Sequence, residues 1–303
     1  MASYRKNENN DFPTDASWAR LYNGAVRRLI ITADQLGVNP SRSHGIFQCM
    51  EEGAVKSASL APNYADSSRA AELAGRKNIS LGLQINCTEG SPMSREEHVA
   101  SLLDANGYFL TYNRLIVAIE EGVIVREHLE REIRAQIEWF LEHSGSPTHV
   151  CSFEHIHVHP FIAPILSPIL SRYGIRYVRI PMEVIAANDP WDLSPEQRTS
   201  IDHISRQAHE AKAIFAADDI GFTDHFRGLA LQGNASSRRL RSLITGLDEG
   251  TTELMVHPGQ CDPVGEAFEK DPQRETERNM LLDPELPAFI RGRGIELVGY
   301  EDL

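Results

Sequence analysis

No stretch of this sequence approaches the roughly 18–20 consecutive apolar residues that a membrane-spanning helix needs, so no span is expected. The opening residues, MASYRKNENNDFPTDAS, lack the apolar centre of a secretory signal, so a secretory route is not expected either. Cysteine is scarce. Cys49, Cys87, Cys151 and Cys261 are scattered with no C-x-x-C pair, too few in 303 residues for a disulfide framework. Reduced thiols in a cytoplasmic protein are expected, each a small buried apolar residue. Positive charge is also in deficit, at 30 Lys and Arg against 43 Asp and Glu, a net charge of −13. Such a chain repels phosphate backbones and anionic headgroups, which makes nucleic acid and membrane surfaces poor partners. A small-molecule substrate is the expected partner, with a second copy of the chain, in a homodimer, as the other candidate.

What is present is a strand–helix alternation. Residues 1–25 are polar and aperiodic and read as a mobile lead-in. Arg28–Asp34 is a short, mostly apolar run ending on a carboxylate, the pattern of a buried strand. Further strands are expected at Val55–Leu60, Ile79–Asn86, Thr148–His157, Arg176–Ile180, Glu253–His257 and Ile295–Val298. Helices are expected near 42–52 and at Tyr64–Arg76, Glu127–Glu142, Pro195–Ala217, Ser236–Leu247 and Glu275–Arg293, with a less regular insertion at about 88–125. This order predicts parallel strands inside a shell of helices: a single α/β domain over 26–303, a distorted TIM-like (β/α) barrel. An open doubly wound sheet is the other arrangement such alternation allows.

In these folds the polar residues at strand carboxyl ends meet the ligand. Asp34 closes the first strand, and a carboxylate there is costly unless hydrogen-bonded or in use. Phe153-Glu154-His155-Ile156-His157-Val158-His159-Pro160 is the most unusual segment. Read as a strand, it places His155, His157 and His159 on one face and Glu154 on the other. That pattern suits metal binding or a polar hydrogen-bonded barrel mouth. His257 ends a late strand and is a candidate acid or base. Arg179, at a strand end, and Arg227, in the mixed segment Thr223–Gly228 with His225, are candidate anion-holding groups. Trp191 is a candidate cover for the pocket, and Trp139 a core residue.

Several segments resemble the YdjC-like carbohydrate deacetylases. Leu29-Ile30-Ile31-Thr32-Ala33-Asp34-Gln35-Leu36-Gly37 is similar to that family's N-A-D-D-F-G strand, and Val55–Leu60 to V-T-S-x-S-L. Leu81–Gly90 is similar to G-L-H-L-N-L-T-E-G, and Pro147–His157 to P-T-H-x-D-S-H-x-H-V-H. Asp224–Leu229, Glu253–Pro258 and Arg291–Leu303 resemble later blocks, so the resemblance runs in order from residue 28 to the end. It implies a distorted TIM-like barrel, removal of an N-acetyl group from an amino sugar, and a metal held by one Asp and two His. It also implies a base at Asp34 and an acid at His257. The three metal-ligand positions fall on Gln35, Gln84 and Phe153, and an Asp of the fourth motif falls on Cys151.

Two amides and a phenyl ring offer a dication no charge. The residues are therefore read as binding no metal or cofactor, with Gln35, Gln84, Phe153, His157, Arg179, His225 and Arg227 turned to substrate. The function expected on this reading is a metal-independent acid/base enzyme using Asp34, His257, Glu154 and His155. It would perform a condensation or cyclisation of a small molecule in specialised metabolism, for example a Pictet–Spengler-type ring closure. The alternatives are a metal-dependent N-deacetylase of an acetylated amino sugar, with an ion relocated to His155, His157 or His159 and Glu154, and a non-catalytic metabolite-binding protein.

Overall fold

The protein is seen here as a computed structural model that describes residues 26–185, 192–262, 265 and 267–303. The expected lead-in at 1–25 and Trp191 lie outside the described residues. The first strand, β1 (Arg27–Leu36), is the hub of a seven-stranded sheet in which every ladder is parallel. Its run of Leu29, Ile30 and Ile31 is fully buried, as a continuous apolar strand between covering layers must be. Along its length β1 pairs with β6 (Gly250–Val256). On its other edge it pairs first with β7 (Ile295–Val298) and then with β2 (Ser57–Leu60). Beyond β2 lie β3 (Gly82–Ile85) and β4 (Val150–Ser152); β5 (His225–Arg227) flanks β6.

The barrel is completed by short bridges. Val178 pairs with Val150, and Tyr177 pairs with Gly221, which leads into β5. Parallel neighbours thus run around the ring, with two staves reduced to bridges, which is the distorted TIM-like barrel expected from the alternation. The expected strand Arg176–Ile180 survives only as these contacts.

Helices α1 (Pro40–Glu52), α2 (Ser67–Arg76), α3 (Tyr112–Glu120), α4 (Arg126–Ser144), α5 (Ala163–Arg172) and α6 (Pro195–Ala217) surround the sheet with α7 (Ser237–Thr245). Local signals set their ends. Asn39 accepts from the Arg42 backbone and Pro40 opens α1. Ser194 and Gln197 form a reciprocal cap on α6. Gly145, at φ 76°, ends α4. The insertion holds α3 and two short 3-10 turns. Among the described residues no helix is long and apolar enough to cross a membrane.

Two further expectations fail. The helix expected over Glu275–Arg293 is broken into α9 (Gln273–Leu281) and α10 (Leu286–Gly292), after the one-turn α8 (Ala267–Lys270). Pro287 in the first turn of α10 removes a donor that an unbroken helix would need. The strand expected over Thr148–His157 stops at Ser152. Phe153–Val158 is instead a 3-10 segment in which Glu154 and His155 have φ of 49° and 54°. Successive left-handed residues turn the chain, so His155, His157 and His159 do not line one face of a strand.

Candidate active site

The carboxyl ends of β1, β3, β4 and β6 deliver Asp34, Gln84, Phe153 and His257 to one end of the barrel. The ladder between β1 and β2 shifts register between Ala33 and Leu36, and Gln35 there has φ 68°. Such an irregularity re-aims the side chains it carries.

Asp34 is 1% exposed and fully engaged. Oδ1 accepts from Ser59 Oγ at 2.8 Å and Arg179 Nη2 at 2.8 Å. Oδ2 accepts from Arg179 Nη1 at 2.5 Å and Gln84 Nε2 at 3.2 Å. The Arg179 guanidinium, itself wholly buried, also donates from Nε at 3.0 Å and Nη2 at 2.8 Å to Glu253 Oε1. Burial opposes its charge, but neighbouring anions led by Asp34 raise its pKa well above the usual value. The two-pronged bond expected of Arg179 is therefore made to Asp34. Glu253 takes a further bond from the Tyr300 hydroxyl at 2.7 Å, and Tyr300 stacks on His149 at 3.9 Å between ring centroids. Gly82 makes room for that imidazole, since a Cβ there would lie 2.1 Å from the ring.

Gln84 is a fixed bar across the mouth. Its Nε2 donates to Asp34 and its Oε1 accepts from the Gln35 backbone at 2.7 Å. Gln35 Oε1 is buried with no partner, and so is His155 Nδ1. A buried polar atom left so costs about 1–3 kcal/mol. Phe153 is buried and stacks on Tyr64 at 5.7 Å.

The histidines are held uncharged. His157 Nε2 is 2.9 Å from the Arg179 carbonyl, which requires a proton on that nitrogen. Nδ1 then accepts from Ser152 Oγ at 2.7 Å. Burial first, then His155, depress the His157 pKa to about 3. Burial and then Arg179 bring His155 to about 3 as well. His159 is half-buried and apart, its pKa lowered by burial and by His203. Glu154 stands exposed at the rim; the surrounding protein, then Glu89, raise its pKa.

His257 is gripped from behind. Arg42 Nη1 and Arg274 Nη1 each donate to its carbonyl at 3.1 Å, and its backbone N–H donates to Glu277 Oε2 at 2.5 Å. The Phe268 ring meets its imidazole edge-on at 5.4 Å and lies under both guanidinium groups. Burial, then Arg274 and Arg42, put its pKa well below the ordinary histidine value.

His225 and Arg227 are not brought to this cluster. His225 Nε2 donates to the Glu249 carbonyl, just before β6 begins, and Arg227 lies 3.9 Å from Asp248. Relocation of an ion to His155, His157 or His159 with Glu154 is not favoured by the geometry: both His157 nitrogens are taken, and no group of three His, Cys, Asp or Glu among the described residues is arranged to hold one. Reading the sequence missed Ser59, Glu253, Tyr300, Arg42 and Arg274. Glu253 had a signal, a lone charge inside an apolar strand; the two arginines had none.

A carbohydrate deacetylase of Mus musculus is 34% identical over 294 residues, covering 91% of this chain and 94% of the relative. One from Geobacillus stearothermophilus is 29% identical, covering 91% and 98%. A solved structure from Enterococcus faecalis, described in terms of cellobiose-phosphate cleavage, superposes with a TM-score of 0.74 at 22% identity, covering 92% and 99%, and supports the fold alone. These relatives correct the expected function. They carry the name carbohydrate deacetylase along nearly the whole chain, and nothing among them supports a cyclase, a Pictet–Spengler reaction or specialised metabolism. The YdjC-like protein model matches residues 28–292, most of the sequence, and the chain belongs to that family.

Proposed function

We propose that this chain acts on an acetylated carbohydrate bound at the barrel mouth, with removal of an N-acetyl group from an amino sugar as the reaction. The observation that carries this reading is the pairing of Asp34 with Arg179 beside His257, on a chain that aligns with carbohydrate deacetylases over 91% of its length. Asp34, held by Arg179, Ser59 and Gln84, is a fixed negative charge that would stabilise positive charge developing at the mouth. His257, neutral and held by its backbone, has one ring nitrogen to accept a proton and one to donate.

The ion that the family resemblance implies would supply a Lewis acid and an activated water. The residues at its ligand positions do not fit it. Gln84 Oε1 is already committed to the Gln35 backbone, Gln35 offers only a neutral amide, and Phe153 offers no lone pair. This misfit favours a second reading, in which the chain binds the acetylated sugar and leaves it intact.

The test is acetate release from N-acetylglucosamine and its oligomers by untagged protein, with and without Zn²⁺ or Mg²⁺, alongside calorimetric binding of the same sugars. Acetate release lost at least a hundredfold in Asp34→Asn supports deacetylation. Binding without acetate supports the second reading. Neither binding nor release overturns both.

A further inference from the structure

We propose that the place where the family holds a metal ion is, in this chain, a hydrogen-bonding subsite for an uncharged amide or hydroxyl group of the bound sugar, offered by Gln35 Oε1 and His155 Nδ1. This deepens the proposed function and rests on it for the identity of the ligand; the exclusion of the ion stands on its own.

Three features point the same way. The Gln84 side chain is tied at both ends, to Asp34 and to the Gln35 backbone, so its amide is a strut and not a ligand waiting for an ion. The Phe153 ring is packed on Tyr64 and closes the third ligand position with hydrocarbon. The remaining carboxylate, Asp34, accepts from Arg179, Ser59 and Gln84 on both oxygens, so its lone pairs are spent on donors of the protein. An incoming dication would have to displace those donors beside a buried guanidinium of like sign.

Of the nine buried side-chain polar atoms without partners among the described residues, two belong to residues at or just past the strand ends of the mouth. Gln35 Oε1 and His155 Nδ1 are buried without partners, and His155 is 8% exposed. Both sit on residues held in the left-handed region, at φ 68° and 54°, Gln35 near the carboxyl end of β1 and His155 just after β4. Non-glycine residues are kept there only when the surroundings enforce it, and such positions gather at binding sites. An amide oxygen and a neutral imidazole nitrogen suit an N–H or O–H donor and an uncharged acceptor, the groups an acetamido or hydroxyl substituent presents.

The test uses untagged full-length protein in two arms. Zinc chloride alone is titrated by calorimetry into the wild type and into the triple variant Gln35→Asp, Gln84→His, Phe153→His. No stoichiometric site in the wild type, with one gained in the triple variant, is expected. One zinc per chain in the wild type, lost on Gln84→Ala, would overturn the inference while leaving deacetylation in place. In the second arm N-acetylglucosamine is titrated into the wild type, Gln35→Asn and His155→Asn, because asparagine tolerates the left-handed backbone and shortens or alters the polar reach. An affinity loss of tenfold or more in each, with an unchanged circular dichroism spectrum, is expected. Unchanged affinity in both folded variants overturns the subsite. Failure of the wild type to bind the sugar overturns the proposed function and the subsite together, whatever the zinc result.

Discussion

The Arg179 guanidinium meets the Asp34 carboxylate with two parallel hydrogen bonds, Nη1 to Oδ2 at 2.5 Å and Nη2 to Oδ1 at 2.8 Å, while its inner edge grips Glu253. One cation thus serves two buried carboxylates. Removing one partner of such a group strands the rest without water or counter-charge. Arg179→Met is expected to lower the unfolding free energy by about 3–5 kcal/mol in urea titrations. Arg179→Lys keeps a charge but not the fork and should lose less. A loss under about 1 kcal/mol for the methionine variant would show that the pair is not what holds this end of the barrel.

Acid should weaken the protein through its buried imidazoles. His149, His155 and His157 have native pKa values near 3, mainly through burial, against an unfolded value of 6.5. Between those values the unfolded chain holds more protons, so stability falls as pH drops from about 6.5 towards 3. Each such histidine contributes up to about 1.4 kcal/mol per pH unit. Glu183 and Glu277, whose pKa values burial raises above the carboxylate norm, oppose this above about pH 4.5. Urea titrations at pH 7 and pH 5 should give the wild type the larger loss, and His157→Gln, which keeps a donor and an acceptor, a smaller one. Equal losses would mean that His157 is charged in the native state.

Nitrogen-15 NMR of labelled histidines should find His257 neutral down to well below pH 6.5. Burial is the largest cause, with Arg274 and then Arg42 adding to it. Arg274→Gln should therefore raise the His257 pKa while leaving it below 6.5. A variant titration identical to the wild type would detach the guanidinium from the imidazole.

Gly228 has φ 135°, and a Cβ there would lie 2.6 Å from the Met255 carbonyl oxygen. Its N–H also donates to the buried Glu183 carboxylate at 3.1 Å. Gly228→Ala should cost about 1–3 kcal/mol and appear as a lowered Tm. An unshifted Tm would require the strand to give way without penalty.

Thiol reactivity should be selective. Cys49, Cys87 and Cys151 are buried, and burial raises their pKa values, Cys49 to about 12; Cys261 is part-exposed. A disulfide exchange reagent at pH 8 should titrate one thiol quickly in the native protein and four after denaturation.

Much of the frame was legible in the sequence. The helix Pro195–Ala217 follows from Ser194, Pro195 and Gln197, because capping chemistry is local. The placing of Asp34 and His257 at the mouth follows from strand ends in a parallel barrel, whereas Gln84 and Phe153 were singled out only through the family resemblance. What was not legible depends on backbone strain or distant partners. The H-x-H spacing mimics a strand, and nothing in Glu154-His155 announces two left-handed residues in succession. Arg179 at a strand end looks the same in sequence whether its fork meets a ligand or Asp34. The function was misread for a related reason: lost ion ligands suggested a new reaction, whereas likeness along the whole chain to carbohydrate deacetylases points elsewhere.

The line of contacts from Tyr300 through Glu253 and Arg179 to Asp34 has a practical bearing on protein engineering. Libraries confined to the rim would leave the electrostatic setting of Asp34 as it is. Tyr300→Phe, made at the far end of that line, removes the hydroxyl that donates to Glu253, leaves more of that carboxylate's charge to Arg179, and so retunes the setting of Asp34 from behind the mouth.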